Sequence, residues 1–412
     1  MAPISVFDQI FDPANRADPY PLYAELRRTP VSRQEDGTYV VSGYDEIVAL
    51  LHDPRVSSTR RNVPQPGEPG SEDVAAALPP AFINTDPPEH DRLRRLAMRH
   101  FGPPRSPHLV ESLRPEMLRV ITELIDGVAT RARIDIVDDI AYPFPVTMIC
   151  RILGVPREDE ARFHEWADAV VESLDPREQG RTERMRRRQA AVVELHRYLG
   201  GIIDERRERP EDDLLSGLVT DDGPEGAMSP VEVAATATLL LIAGHETTVN
   251  LITNGMLTLL RHPEALERLR HEPDLAVYAV EELLRYEPPV HFLSSRVALD
   301  DIELGGTVIP KGAPIAVALA AGSRDPSHVP DPDHFDPDRR YNEHLGFGGG
   351  VHYCFGAPLA RLETQIALTE LARRLKNPRL VADPPPYRPS AELRGPRHLL
   401  VDVDAVAAPE NG

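Results

Sequence analysis

After Pro230 the chain runs to His262 without a proline or a helix-stop cluster, and this stretch limits the available folds more than any other. Ser229 is a capping residue, Pro230 suits the first turn, and Glu232 completes a capping box, so a helix start is specified locally. A helix over about 230–261 would run about 48 Å at 1.5 Å per residue, long enough to cross the body of a sizeable domain. Its middle, AATATLLLIAG, is apolar all round, which predicts burial all round. The apolar part is bracketed by Glu232 and His245. It is therefore shorter than the roughly 20 residues needed to span a bilayer. The N-terminus carries acids and prolines where a secretory signal has a basic start and an apolar run. The expectation is a cytoplasmic protein without a membrane segment.

Elsewhere the pattern is mostly helical with a minor β part. Val31 to Arg33 and Tyr39 to Val41 flank an Asp36-Gly37 turn and predict a hairpin. From Arg61 to Pro80 the text is rich in proline, glycine and acids, which predicts a long mobile loop and, over about 61–85, a candidate access lid. Helical periodicity dominates from about Val110 to Arg209, where the run Arg186, Arg187, Arg188 reads as a solvated face. A second clear helix, Pro273 to Tyr286, is followed by strand signals at Thr307 to Ile309 and Ala313 to Leu319. An irregular run, Asp325 to Arg340, comes next. With no internal repeat and no linker, the economical reading is one domain over 1–412.

A net charge of -20 disfavours nucleic-acid binding. Only Cys150 and Cys354 occur, so a disulfide framework and a four-cysteine zinc site are both excluded. Cys150 lies in the apolar segment VTMICRILGV and reads as core. Cys354 sits in FGGGVHYCFGAPLARLE, a glycine-crowded loop (346–356) followed by helical spacing from Ala357 to Leu375. A cysteine just before a helix start is favoured as a thiolate by the helix dipole and free N–H groups. Position alone leaves a small buried core residue equally open.

Phe347, Gly348, Gly350, His352, Cys354 and Gly356 match the cytochrome P-450 haem-binding signature at every fixed position. The chain resembles the bacterial haem-thiolate monooxygenases of that superfamily from about Asp18 to Val403. The fold implied is the cytochrome P-450 fold, mainly α with small β sheets and the long central helix over a haem. The resemblance implies haem b with the Cys354 thiolate as axial ligand, and His352 contacting a haem propionate. It also places His90, Arg94 and Arg296 on the propionates, and Phe347, Gly348, Ala243 and Gly244 against the cofactor. In the family an acid and an alcohol on the long helix deliver protons during oxygen activation; here these are Glu246 and Thr247. On the residues alone, Thr247 can equally bond back to the carbonyl four residues earlier, and His245 reads as packed. Glu282, Arg285 and Arg339 match a structural network behind the haem.

The resemblance further implies electrons from NAD(P)H through a ferredoxin reductase and a ferredoxin. Docking is expected on a basic patch of Arg92, Arg95, Arg99, Arg340 and Arg361. Substrate contacts are expected at Ile83, Leu239, Leu240, Ala243, Phe292, Leu293 and Leu393, mostly apolar as ligand pockets are. The reaction implied is insertion of an oxygen atom from O2 into a hydrophobic organic molecule. The overall likeness is to actinomycete enzymes that tailor polyketides and other secondary metabolites. Steroid or terpenoid hydroxylation, oxidative coupling or ring closure, and a haem sensor without turnover are the alternatives.

Overall fold

The computed structural model describes residues 5–59, 62, 81–101, 109–173, 181–221, 223 and 226–409. The expected loop over 61–80 lies, apart from Asn62, outside the described residues. Helices make up most of the rest, with small sheets at the edges.

The long helix spans Pro230–Arg261. Its capping box is formed: Glu232 N–H donates to Ser229 Oγ at 3.3 Å, and Ser229 N–H donates to Glu232 Oε2 at 2.7 Å. It packs against the helices Pro143–Leu153, Arg181–Glu208 and Ala357–Arg374, and most of its length is buried. Two buried hydroxyls on it bond back along the helix, Thr253 to the Val249 carbonyl and Thr258 to that of Asn254. Gly255 marks a close helix crossing, because a Cβ there would meet Leu368 and Leu283 side chains at 2.9 and 3.0 Å. One expectation is corrected. Leu239, Ala243 and Thr247, four apart on one face, remain partly accessible instead of being buried all round.

The predicted hairpin forms, with Val31 opposite Val41 and Arg33 opposite Tyr39. It is extended by strands distant in sequence. Tyr39–Val41 pairs parallel with Pro314–Val317, which pairs antiparallel with Leu293–Ala298, and Val56–Ser57 closes the five-stranded sheet. This sheet brings Arg296 and the segment around Ser58 to the same side of the fold as the loop that carries Cys354, where Ser58 bonds His352. A three-stranded sheet joins Arg379–Leu380, Leu400–Asp402 and Arg133–Asp135. The Pro273 to Tyr286 helix is observed at Leu275–Tyr286, and the one after the cysteine at Ala357–Arg374. Among the described residues no helix is long and apolar enough to cross a membrane.

Candidate active site around Cys354

The loop before the Ala357–Arg374 helix is folded by glycine. Gly348 and Gly350 have φ of +66° and +62°, a region that disfavours side chains. A Cβ on Gly350 would in addition fall on the carbonyl oxygen of Leu51. The loop is closed by Cys354 N–H donating to the Phe347 carbonyl at 3.0 Å. Around the sulfur, the N–H groups of Gly356 and Ala357 and the guanidinium groups of Arg94 and Arg361 all favour the thiolate. Burial outweighs them and pushes the thiol up. The helix start favours the thiolate, as the sequence suggests, but does not by itself outweigh burial; a cation bonded to the sulfur would. Cys150 is fully buried in the Pro143–Leu153 helix, and burial raises its thiol too. It is a core residue.

Beside the loop lies a set of cationic and imidazole groups short of acids. His90 is buried, its Nδ1 bonds Asp91 at 2.8 Å, and its Nε2 has no partner among the described residues. Its ring lies 4.4 Å from that of His352, whose Nε2 bonds Ser58 Oγ at 2.7 Å. Burial, aided by His90 and Arg296, pushes the His352 imidazole down to about 4. Arg94 donates to the Tyr353 carbonyl at 2.6 Å, and Arg296 to that of Ser295 at 2.9 Å. Among the described residues neither forms an ion pair with a carboxylate, and burial lowers both. A buried orphan Nε2 and two partly buried guanidinium groups without acids fit a ligand that brings its own carboxylates, as a haem does. Ser58 was not legible as a site residue; nothing in its surroundings marks it until the sheet forms.

On the long helix, Thr247 Oγ1 donates to the Ala243 carbonyl at 2.6 Å, so its hydroxyl is back-bonded. Glu246 is almost fully buried. Its Oε1 accepts from Asn250 Nδ2 at 3.3 Å and lies 3.1 Å from Arg388 Nε, while Oε2 has no partner among the described residues. Burial pushes this carboxyl up to about 7, against the pull of Arg388. His245 packs edge-on against Tyr142, 4.4 Å between ring centres.

Glu282, Arg285 and Arg339 are brought together. Arg285 makes a two-pronged bond to Glu282, both contacts 2.8 Å, and Arg339 Nε reaches Glu282 Oε2 at 3.1 Å. Asn342 Nδ2 and the Asp336 N–H, both at 3.0 Å, complete the shell.

Two groups of expected residues are placed differently. The basic patch is largely paired: Arg92 with Glu89 and Glu232, Arg99 with Asp221, Arg361 with Glu281, and Arg340 lies over the Tyr278 ring. Charge counting cannot reveal such partners, three of which are distant in sequence. Phe292 is 2% exposed and its ring packs on Phe7, Phe11 and Tyr23, so it is core and offers no face to a ligand. Ile83 is exposed, Leu239 and Ala243 lie on the accessible face of the long helix, and Leu240 points into the core. Leu293 and Leu393 are half-buried on neighbouring segments joined by the Val290–Leu393 bridge.

Residues 38–397 match the Cytochrome P450 family profile. The chain is 41% identical to "Cytochrome P450 monooxygenase PikC" of Streptomyces venezuelae, covering 93% of this chain and 91% of that protein. It is 38% identical to "6-deoxyerythronolide B hydroxylase" of Saccharopolyspora erythraea, covering 94% and 96%. The crystal structure of ligand-free Mycobacterium smegmatis CYP164A2 superposes with a TM-score of 0.85 at 39% identity, covering 97% and 99%. The glycine-built cysteine loop and the long helix lie within these matches, and the chain belongs to the cytochrome P450 family, as one of its monooxygenases.

Proposed function

We propose that this monooxygenase inserts one oxygen atom from O2 into a macrolide-type polyketide or similar hydrophobic secondary metabolite, the second atom leaving as water. The observation that carries the proton-handling part is Glu246, a buried carboxyl with an oxygen free to move its proton, next to a hydroxyl on the same helix. The relative named for hydroxylating 6-deoxyerythronolide B supports the substrate class. So does the accessible face Leu239, Ala243, Thr247, which offers apolar contact and a single hydroxyl.

In this reading Cys354 would be the metal ligand, and His90, Arg94, Arg296 and His352 would hold the two carboxylates of haem b. Bound haem supplies oxygen activation, with electron donation from the thiolate favouring O–O cleavage. Phe347, Gly348, Ala243 and Gly244 would border the cofactor. Glu246 gives up a proton toward the accessible face, and Thr247, released from the Ala243 carbonyl, orients it. Burial holds the Glu246 carboxyl up at about 7, in the range that suits a group that both gives and regains a proton at neutral pH. Electrons would come from NAD(P)H through a ferredoxin reductase and a ferredoxin in the cytoplasm. The ferredoxin would dock near the exposed Val351 and Tyr353 of the cysteine loop, with Arg95 and Arg340 at the rim.

Thr247→Ala tests the proton-handling roles. It should leave substrate binding, read as a spin-state change of the haem, near that of the parent. It should raise peroxide released per product by about ten-fold or more, the usual scale of a lost proton-transfer group. Unchanged coupling would remove Thr247 from the mechanism. Screening macrolactones, steroids and terpenoids by the same spin-state change tests the substrate class.

A further inference from the structure

Arg388 reaches Glu246 from outside the helix that carries it. Its backbone N–H is held by the Gly395 carbonyl at 3.0 Å, within a tight pairing of Tyr387 with Pro396. One side of Arg388 lines a surface recess of about 290 Å³ formed with Pro13, Arg16, Ala17, Tyr387 and Pro389. Its guanidinium passes inward, 10% exposed, to 3.1 Å from Glu246 Oε1. One side chain thus connects solvent to the buried acid of the long helix.

The polar atoms at the inner end are underused. Among the described residues, Glu246 Oε2, Asn250 Oδ1, and Arg388 Nε and Nη2 are buried without a hydrogen-bond partner. Gly395 presses on this cluster so closely that a Cβ would strike Asn250 Oδ1. Two donors and two acceptors gathered in one place suit bridging by water, the usual occupant of such clusters. Arg285 grips Glu282 with two nitrogens, whereas Arg388 approaches Glu246 with one, which leaves the Glu246 carboxyl freer to turn.

We propose that this recess is where protons enter toward Glu246, and that Arg388 is the positioning residue that holds the carboxylate turned to the entrance until a proton arrives. The proposal rests on the reading of Glu246 as the proton-delivering group. The carboxylate takes a proton from hydrated solvent in the recess, forming an O–H bond as the donor water loses one. Neutralisation weakens the pairing with Arg388, which keeps its own protons. The carboxyl turns to the accessible face of the helix, gives up the proton there, and returns as carboxylate. The other groups that bear on Glu246 are Asp168, which raises its affinity for protons, and Arg397, which lowers it. Tyr142 also lies within electrostatic reach and donates to Asp168 at 2.9 Å. Asp168 is exposed and marks the competing entry route.

The test is pH-difference infrared spectroscopy of the haem-loaded protein, reading the protonated-carboxyl C=O band, with peroxide released per product measured in parallel. In the parent the band should titrate near 7. Glu246→Gln should remove it. Arg388→Gln should move its midpoint up by about one to three units, the effect of losing a nearby opposite charge. It should also raise peroxide release several-fold, whereas Asp168→Asn leaves that release near the parent level. Arg388→Lys should restore part of both effects. If Arg388→Gln fails to fold, Arg388→Lys carries the test by a smaller upward midpoint. An unmoved midpoint in the Arg388 variants would overturn the proposal. So would a rise in peroxide release with Asp168→Asn that Arg388→Gln lacks. A band unaffected by Glu246→Gln would instead overturn the reading of Glu246 itself, a distinguishable failure.

Discussion

Replacing Cys354 with alanine should reduce product formation to the level of an enzyme-free control while leaving the fold intact. The chain has one other sulfur of this kind, Cys150, which is sealed in the core of the Pro143–Leu153 helix with its thiol pushed up by burial. No second thiolate can substitute. The loop itself is held by backbone bonds, Cys354 N–H to Phe347 and Tyr353 N–H to Gly350, and by the glycines at 348 and 350. All of these survive the change. Cys354 is only half-buried, so removal of its sulfur should alter stability by about 1 kcal/mol or less. Product yield, haem per protein and circular dichroism measured together check this. Retained turnover would show that another group holds the metal.

Glu282→Ala should have the largest effect on stability, a loss of about 3–5 kcal/mol, because it strips the shared acid from a buried network. Five donors converge on that carboxylate: Nε and Nη2 of Arg285, Nε of Arg339, Nδ2 of Asn342 and the Asp336 N–H. Arg285 is 1% exposed and would keep its charge with no acid to match it. Arg285 also donates to the carbonyls of Pro332 and His334, so the network ties the Leu275–Tyr286 helix to the chain leading into the cysteine loop. Urea or thermal unfolding of the variant gives the measurement. A loss below about 1 kcal/mol would place the pair among the weak ion pairs of exposed helix faces.

What was legible in the sequence was local. The Ser229 cap, Pro230 and the stop at His262-Pro263 marked the long helix, because capping chemistry and proline act within a few residues. The hairpin at 31–41 was legible from its turn residues for the same reason. The six-position match around Cys354 carried the family. What the sequence could not show depended on partners brought from afar. The parallel pairing of Tyr39–Val41 with Pro314–Val317 has no local signal. Phe292 was expected in the substrate pocket, yet the first residues of the chain fold over it. The arginine patch was read from positive charge, and Glu232, Asp221 and Glu281 neutralise much of it. Arg388 drew no notice in the sequence because its interest lies wholly in reaching Glu246 across 142 positions.

Every role proposed for this site depends on a sulfur–iron bond at residue 354. The most direct measurement is the reduced carbon-monoxide difference spectrum of the purified protein produced with ample haem. The expected result is the strongly red-shifted band that a cysteine-thiolate haem gives with carbon monoxide. A folded, colourless protein, or a band in the position given by a histidine-bound haem, would contradict it.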